Sequence, residues 1–195
     1  MPRRYVLTGA PGAGKTALAV TLRERGYLVV AEAATDVIAD EQARGVDEPW
    51  RAVDFLDKIA LLQRQRQLSQ IADRIQVQVY DRSPLCTLAL ARYLQLPVTP
   101  RLTEEVTRVI DEQVYQRAVF LVRPLGFITP TQVRRISYPD SLRFEAIHEA
   151  VYREHGFQLV EIPAATIDHR AAAIDSYIRS QPGSSQGQGA PCRAN

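Results

Sequence analysis

Cysteine, histidine and net charge are all scarce in this chain. Two cysteines among 195 residues make no disulfide framework. Cys86 falls in an apolar helical stretch and reads as a small core residue, and Cys192 lies near the end. The three histidines, His148, His155 and His169, lack metal-ligand spacing and read as helical or surface positions. The formal net charge is +2, too small to point to nucleic acid or a membrane surface as partner. No run of about 18 apolar residues occurs, so no membrane span is expected. Met1-Pro2-Arg3-Arg4 leads directly into a strand-like run, so no signal peptide is expected and the chain reads as cytoplasmic. There is no internal repeat. What remains is ordinary for a globular protein, with 46% hydrophobic and 24% charged residues. The length suits one domain with a sizeable core.

Against that plain background one segment stands out. Gly9-Ala10-Pro11-Gly12-Ala13-Gly14-Lys15-Thr16 fits the pattern G-x-x-x-x-G-K-[ST] without a mismatch. The glycines let successive backbone N–H groups turn inward around a phosphate chain. The loop then feeds a helix whose N-terminus favours anions. Gly9, Ala10, Pro11, Gly12, Ala13, Gly14, Lys15 and Thr16 are therefore the expected nucleotide-binding residues. Lys15 is expected at the β/γ-phosphates of ATP, and Thr16 at Mg²⁺ through its hydroxyl. The context agrees, because Arg4 to Thr8 reads as a buried strand and Lys15 to Arg25 as a helix holding Ala17, Leu18, Val20 and Leu22.

The same alternation continues along the chain. Strands are expected at Tyr27–Ala31, Gln76–Tyr80, Ala118–Val122 and Gln158–Ile162. Helices are expected over Ala33–Arg44, over a long stretch from Ala52 to Arg74, from Pro84 to Leu94, over Thr103–Gln116 and Asp140–His155, and around Ile167–Ile178. In the long helix Phe55, Ile59 and Leu62 share a face that Leu68, Ile71 and Ile75 continue as it drifts. Its other side, with Arg64, Arg66 and several glutamines, reads as solvated. Ser83 or Asp81 is the expected cap of the next helix, with Pro84 in its first turn. Thr103 is the expected cap of the one after. Arg123 to Pro139 reads as a loop. The expected architecture is α/β, a P-loop NTPase three-layer sandwich with a five-stranded parallel sheet and an arginine-bearing lid. One nucleotide-binding domain is expected over residues 1–180, with a disordered tail over 181–195.

Ligands of such sheets lie at the carboxyl ends of the strands. Lys15, Glu32 and Asp81 fall there. Asp81 ends the third strand and is expected to hold Mg²⁺ with Thr16; it would otherwise cap a helix. Glu32 ends the second strand and reads as a base for a substrate hydroxyl, as an orienter of water, as a partner of an arginine such as Arg82, or as the acidic start of a helix. Arg123, Arg134, Arg135 and Arg143 lie in or beside the loop after the fourth strand. A lid closing over phosphates would use at least one of them, with Arg134 and Arg135 favoured. No Asn-Lys-x-Asp and no Asp-x-x-Gly occurs, so the guanine-reading and switch motifs of a Ras-like GTPase are missing. Arg82 rather than an acid follows Asp81, which argues against a motor ATPase.

Asp81-Arg82-Ser83, with Glu32 on the second strand, resembles the layout of nucleoside and deoxynucleoside kinases. A likeness over nearly the whole ordered chain is to small P-loop AAA-domain ATPase/kinase-like proteins, related to NadR-type nicotinamide-riboside kinases. It rests on Tyr5–Gly12, Val29-Val30-Ala31-Glu32-Ala33-Ala34, Tyr80-Asp81-Arg82, Val119–Val122, and Val160–Pro163 followed by Asp168-His169-Arg170. One departure is Thr35, where the resemblance implies an arginine. The implied activity is Mg²⁺·ATP-dependent phosphoryl transfer to a small nucleoside-like or other hydroxyl or phosphate acceptor, with Lys15, Glu32, Asp81, Arg134 and Arg135 as catalytic residues. The alternative is a regulatory or switch-type NTPase acting through a protein partner. Neither nucleic acid nor membrane is an expected partner.

Overall fold

Five parallel strands form the centre of the molecule: β1 (Arg3–Thr8), β2 (Leu28–Val30), β3 (Val77–Asp81), β4 (Ala118–Val122) and β5 (Gln158–Ile162). They come from a computed structural model that describes residues 2–70, 72, 75–126 and 136–181. The strand order is β2-β3-β1-β4-β5. β1 therefore lies in the middle, with Leu7 opposite Asp81 on one side and Thr8 opposite Leu121 on the other. The residue content follows the position. β4 is a continuous apolar run, and β1 is apolar from Tyr5 to Leu7 and buried from Tyr5 to Thr8, as strands covered on both faces must be. The edge strand β5 keeps Gln158 and Glu161 exposed.

Among the described residues seven helices cover the sheet: α1 (Lys15–Glu24), α2 (Ala33–Ala43), α3 (Phe55–Leu68), α4 (Pro84–Tyr93), α5 (Pro100–Asp111), α6 (Tyr138–Glu154) and α7 (Ile167–Ser180). Successive side chains of a strand point to opposite faces. Tyr5 and Leu7 accordingly pack with Leu18 and Leu22 of α1 and with Ile174 and Ile178 of α7. Val6 and Tyr80 face the other way, into a larger core built from α2 to α6. The expected three-layer α/β sandwich with a five-stranded parallel sheet is the observed one.

Several boundaries differ from expectation, most clearly at α3, α5 and α6. The helix expected from Thr103 begins at Pro100, and Thr99 is its cap, accepting from the Leu102 N–H at 3.2 Å. Pro100 does not end a loop there; its fixed φ suits the first helical position. Similarly, α6 starts at Tyr138 with Ser137 as cap and Pro139 in the first turn. The long helix is shorter than expected: a 3₁₀ turn occupies Pro49–Arg51, α3 begins at Phe55, and it ends at Leu68, which is 68% exposed. Ile71 lies outside the described residues.

The polar side of α3 is only in part the expected solvated face, with Arg64 and Gln65 exposed. Gln63 and Gln67 are both buried. The Gln67 amide donates to the Tyr115 hydroxyl at 2.8 Å and accepts from Arg108. Satisfied in this way, a buried amide costs little. Arg66 also turns inward, pairing with Asp36 and donating to the Ala31 carbonyl at 2.7 Å. Cys86 is a buried core residue, while Cys192 and the expected tail beyond Gln181 lie outside the described residues. No described helix is long and apolar enough to cross a membrane.

Candidate functional site

The loop between β1 and α1 has the backbone that its glycines allow. Gly9 has φ +129°, and a Cβ there would stand 2.4 Å from the Val122 carbonyl oxygen of β4. No other residue fits so close to a neighbouring strand. Gly14 caps α1 in a left-handed conformation, with no side chain over the first-turn N–H groups. Those groups and the helix dipole make the end of α1 attractive to anions. Lys15 is buried and donates to the carbonyls of Gly9 at 3.0 Å and Ala10 at 2.7 Å. Burial pulls its pKa down to about 7; the nearby Arg82 adds to this, and Asp81 and Glu32 oppose it.

Asp81 stands at the end of β3, beside β1, as the strand pairing requires. Its carboxylate is buried, while Thr16 in the first turn of α1 is exposed. A hydroxyl and one carboxylate are hard oxygen donors of the kind Mg²⁺ accepts alongside phosphates and waters. Among the described residues there is no cluster of three or more His, Cys, Asp or Glu side chains that could hold a metal ion. The donor set therefore fits a metal shared with phosphate and does not fit an all-protein cage.

Arg82 organises the neighbouring corner. It has φ +76°, an uncommon value for a residue with a side chain, and such strain costs about 1–3 kcal/mol. Its backbone N–H is held by the Leu7 carbonyl at 3.1 Å. Its Nε pairs with Glu32 Oε1, and its Nη1 meets His148 Nε2 at 3.1 Å. Of the readings open for Glu32, the pairing with Arg82 is observed, and so is its place at the start of α2, as the residue before Ala33. Burial works against the charged Glu32, but Arg82 and then Lys15 outweigh it, so the carboxyl titrates below its ordinary value. Thr35 completes the arrangement, donating to Glu32 Oε2 at 3.0 Å. Ser83 is the residue before α4, but its hydroxyl bonds Tyr152 at 2.7 Å and does not cap the helix.

These groups share one cavity of about 520 Å³. Gly12, Gly14, Lys15 and Thr16 of the phosphate loop line it, together with Glu32, Asp81 and Arg82. Ile38, Ile59, Leu90 and Phe144 supply apolar wall, and Gln63 and Thr87 a polar pair. The Thr87 hydroxyl donates to Gln63 Oε1 at 3.1 Å. Pockets that take small molecules combine apolar walls with a few polar groups in this way.

Not every expected residue joins the cavity. Arg123 is committed elsewhere, to Glu145 at 2.8 Å, Glu149 at 2.5 Å and Glu161 at 2.7 Å. Arg143 is exposed and pairs with Asp140 at 3.3 Å. Arg134 and Arg135, with most of the expected lid, lie at 127–135, outside the described residues. Sequence reasoning passed over His148, Gln63 and Thr87. His148 is fully buried, and its position four residues after Phe144 was the available signal of an inward face.

Comparison with known proteins agrees with this architecture. NadR in complex with NAD and AMP-PNP is similar at a TM-score of 0.64 and 17% identity, over 91% of this chain and 49% of that chain. Deoxyadenosine kinase from M. mycoides with bound dATP is similar at 0.58 and 14%, over 91% of this chain and 100% of that one. Thymidylate kinase from Ehrlichia chaffeensis is similar at 0.57 and 16%, over 91% and 98%. At these identities the likeness concerns the fold. No curated protein matches the chain. A family model described as an AAA domain matches residues 4–170, and the chain belongs to that family of P-loop proteins.

Proposed function

We propose that this protein is a Mg²⁺·ATP-dependent phosphotransferase acting on a small, nucleoside-like acceptor that offers a hydroxyl or phosphate. The observation that carries the proposal is one cavity lined by the phosphate loop, by Glu32, Asp81 and Arg82, and by apolar side chains of α2, α3, α4 and α6. A nucleotide switch would need the loop but has no use for the side chains of α2, α3, α4 and α6 that extend the same cavity beyond it. The kinases of similar fold, one of them with bound dATP, and NadR with AMP-PNP support the class of both substrates.

In this reading the N–H groups of the Gly9–Thr16 loop cradle the phosphates, and Lys15 neutralises charge that grows on them. Thr16 and Asp81 would hold Mg²⁺, which supplies further charge neutralisation when bound. Glu32 orients the acceptor hydroxyl and receives its proton. A carboxylate kept below its ordinary pKa is a weak base, but it is ionised at neutral pH, and a loose transition state asks the nucleophile to part with its proton late. Arg82 holds Glu32 in place, and Arg134 and Arg135 would close over the phosphates. The catalytic domain is residues 1–180.

A thermal-shift screen of nucleosides, nucleotides and cofactor precursors, run with Mg²⁺·AMP-PNP, tests the proposal, because a ligand of the native state raises Tm by mass action. Acceptor hits should disappear in Glu32→Ala and persist when Gln181 and later residues are removed. Unchanged ATP affinity and turnover in Lys15→Ala would overturn the assignment of the loop. Turnover raised by a macromolecule and by no small acceptor would favour the switch.

A further inference from the structure

Asp168-His169-Arg170 opens α7, and its members part company there. Asp168 and His169 are exposed, whereas Arg170 is 1% exposed and is the largest fully buried side chain described. Its Nη1 donates to the Ala13 carbonyl at 2.7 Å and its Nη2 to the Arg123 carbonyl at 3.0 Å. Nε is buried without a hydrogen-bond partner among the described residues. No described carboxylate pairs with it, so both of its partners are neutral carbonyls. Buried charges are ordinarily paired, because an isolated one in a low dielectric is unfavourable. Among the described residues this guanidinium therefore stands behind the phosphate loop without a counter-charge.

Its geometry acts on one peptide. In a planar trans peptide the C=O and the following N–H point in opposite directions. Holding the Ala13 carbonyl toward Arg170 turns the Gly14 N–H to the other side of the loop, away from the guanidinium. Gly14, at φ +85°, has no side chain to resist a flip of that peptide, and an ideal Cβ on it would lie 3.6 Å from Nη1. The arginine supplies the restraint that the glycine lacks. Its second bond ties the same unit to Arg123, the residue that follows β4.

We propose that Arg170 is a positioning residue for the phosphate site, locking the Ala13–Gly14 peptide with its N–H toward the phosphate chain and placing a buried cation behind it. This rests on the reading of Gly9–Thr16 as the polyphosphate site. Burial holds the Arg170 pKa below the ordinary arginine value, consistent with a cation awaiting a counter-charge.

The test is calorimetric binding of inorganic tripolyphosphate and of Mg²⁺·AMP-PNP to wild type, Lys15→Ala, Arg170→Gln and Arg170→Lys. In Arg170→Gln both dissociation constants should rise about tenfold to hundredfold, as for loss of a charge-assisted hydrogen bond. Arg170→Lys should recover part of the loss. A merely structural arginine would lower Tm and leave the affinity of the folded protein unchanged. Tripolyphosphate bound equally by wild type and Lys15→Ala would overturn the loop reading itself. Binding lost in Lys15→Ala yet within twofold of wild type in Arg170→Gln would overturn only the role of Arg170. Should Arg170→Gln not fold, the side-chain ¹⁵N resonance of Arg170 in wild type, identified by its loss in Arg170→Lys, decides. It should shift on titration with tripolyphosphate, and a stationary resonance would exclude the proposal.

Discussion

Thr35 donates its hydroxyl hydrogen to Oε2 of Glu32 at 3.0 Å, while Arg82 engages Oε1 of the same carboxylate. A neutral hydroxyl, in place of the second cation that the family resemblance implies at this position, thus completes the surroundings of Glu32. Thr35→Val should change the unfolding free energy by less than about 1 kcal/mol, because Thr35 is exposed. With an acceptor found by thermal shift, the acidic limb of the kcat/KM profile should move to higher pH in this variant. The hydroxyl favours the ionised carboxyl, so losing it makes Glu32 easier to protonate. An unmoved limb would separate Thr35 from the chemistry.

Lys15 should make nucleotide binding proton-linked. Its pKa is about 7 in the free protein, and contact with a polyphosphate returns it to the charged form. At pH 8 binding of Mg²⁺·AMP-PNP should take up ~0.9 proton, following from a free-state pKa of about 7. Calorimetry in buffers of different ionisation enthalpy measures this directly. Lys15→Met should abolish both the binding and the uptake without lowering the Tm of the free protein, because methionine fills the buried site without a charge to desolvate. Binding with no proton uptake would contradict the depressed pKa.

His148 should contribute an acid-sensitive component of stability. Its Nδ1 lies 2.9 Å from the Phe144 carbonyl, so that nitrogen carries the proton and Nε2 is free to accept from Arg82. Burial first, and Arg82 after it, hold its pKa well below the ordinary histidine value. The unfolded chain therefore binds a proton that the folded one refuses, and stability declines as pH falls below about 6.5. Glu32 adds its own loss only at lower pH, in the carboxylate range, because its folded pKa is depressed. In His148→Gln, which keeps an acceptor for Arg82, the decline just below pH 6.5 should flatten in urea unfolding. His148→Leu should flatten it too and cost about 1–3 kcal/mol at neutral pH, since Arg82 loses a buried acceptor. A pH dependence identical to wild type in both variants would remove His148 from this account.

A chain ending at Gln181 should keep its Tm and its nucleotide affinity. Ile178 is the last buried apolar residue of α7, and Arg3 donates to the carbonyls of Ile178 and Gln181, at 3.3 and 3.1 Å, which fastens that end to β1. Ending the chain at Asp175 would remove Ile178 and these bonds, and should lower stability by about 2–5 kcal/mol, as truncation of a large buried side chain does. Equal Tm values for the two truncations would show that the domain ends earlier than residue 180.

Much of this molecule is legible in local chemistry. Apolar runs bounded by turn residues gave β4 and β5 their observed limits, and the spacing of Gly9, Gly14, Lys15 and Thr16 located the phosphate loop. Helix starts were harder wherever a proline opened the helix, as at Pro100 and Pro139, because the same residue also ends helices. Long-range pairing was out of reach. Nothing near Gln67 in sequence announces Tyr115 or Arg108, so its burial looked unfavourable.

By itself the sequence determined the strand–helix alternation, the loop, and the placing of Asp81 at a strand end and of Glu32 just beyond one, because those depend on periodicity and on backbone freedom within a few residues. Only the tertiary structure decided that Arg82 reaches both Glu32 and His148, and that Arg123 is consumed by three carboxylates. It also brought Arg170 behind the loop from 157 positions away. Each of these depends on which elements the sheet order makes neighbours, and the direction of a long side chain is set by the charges and carbonyls it meets there.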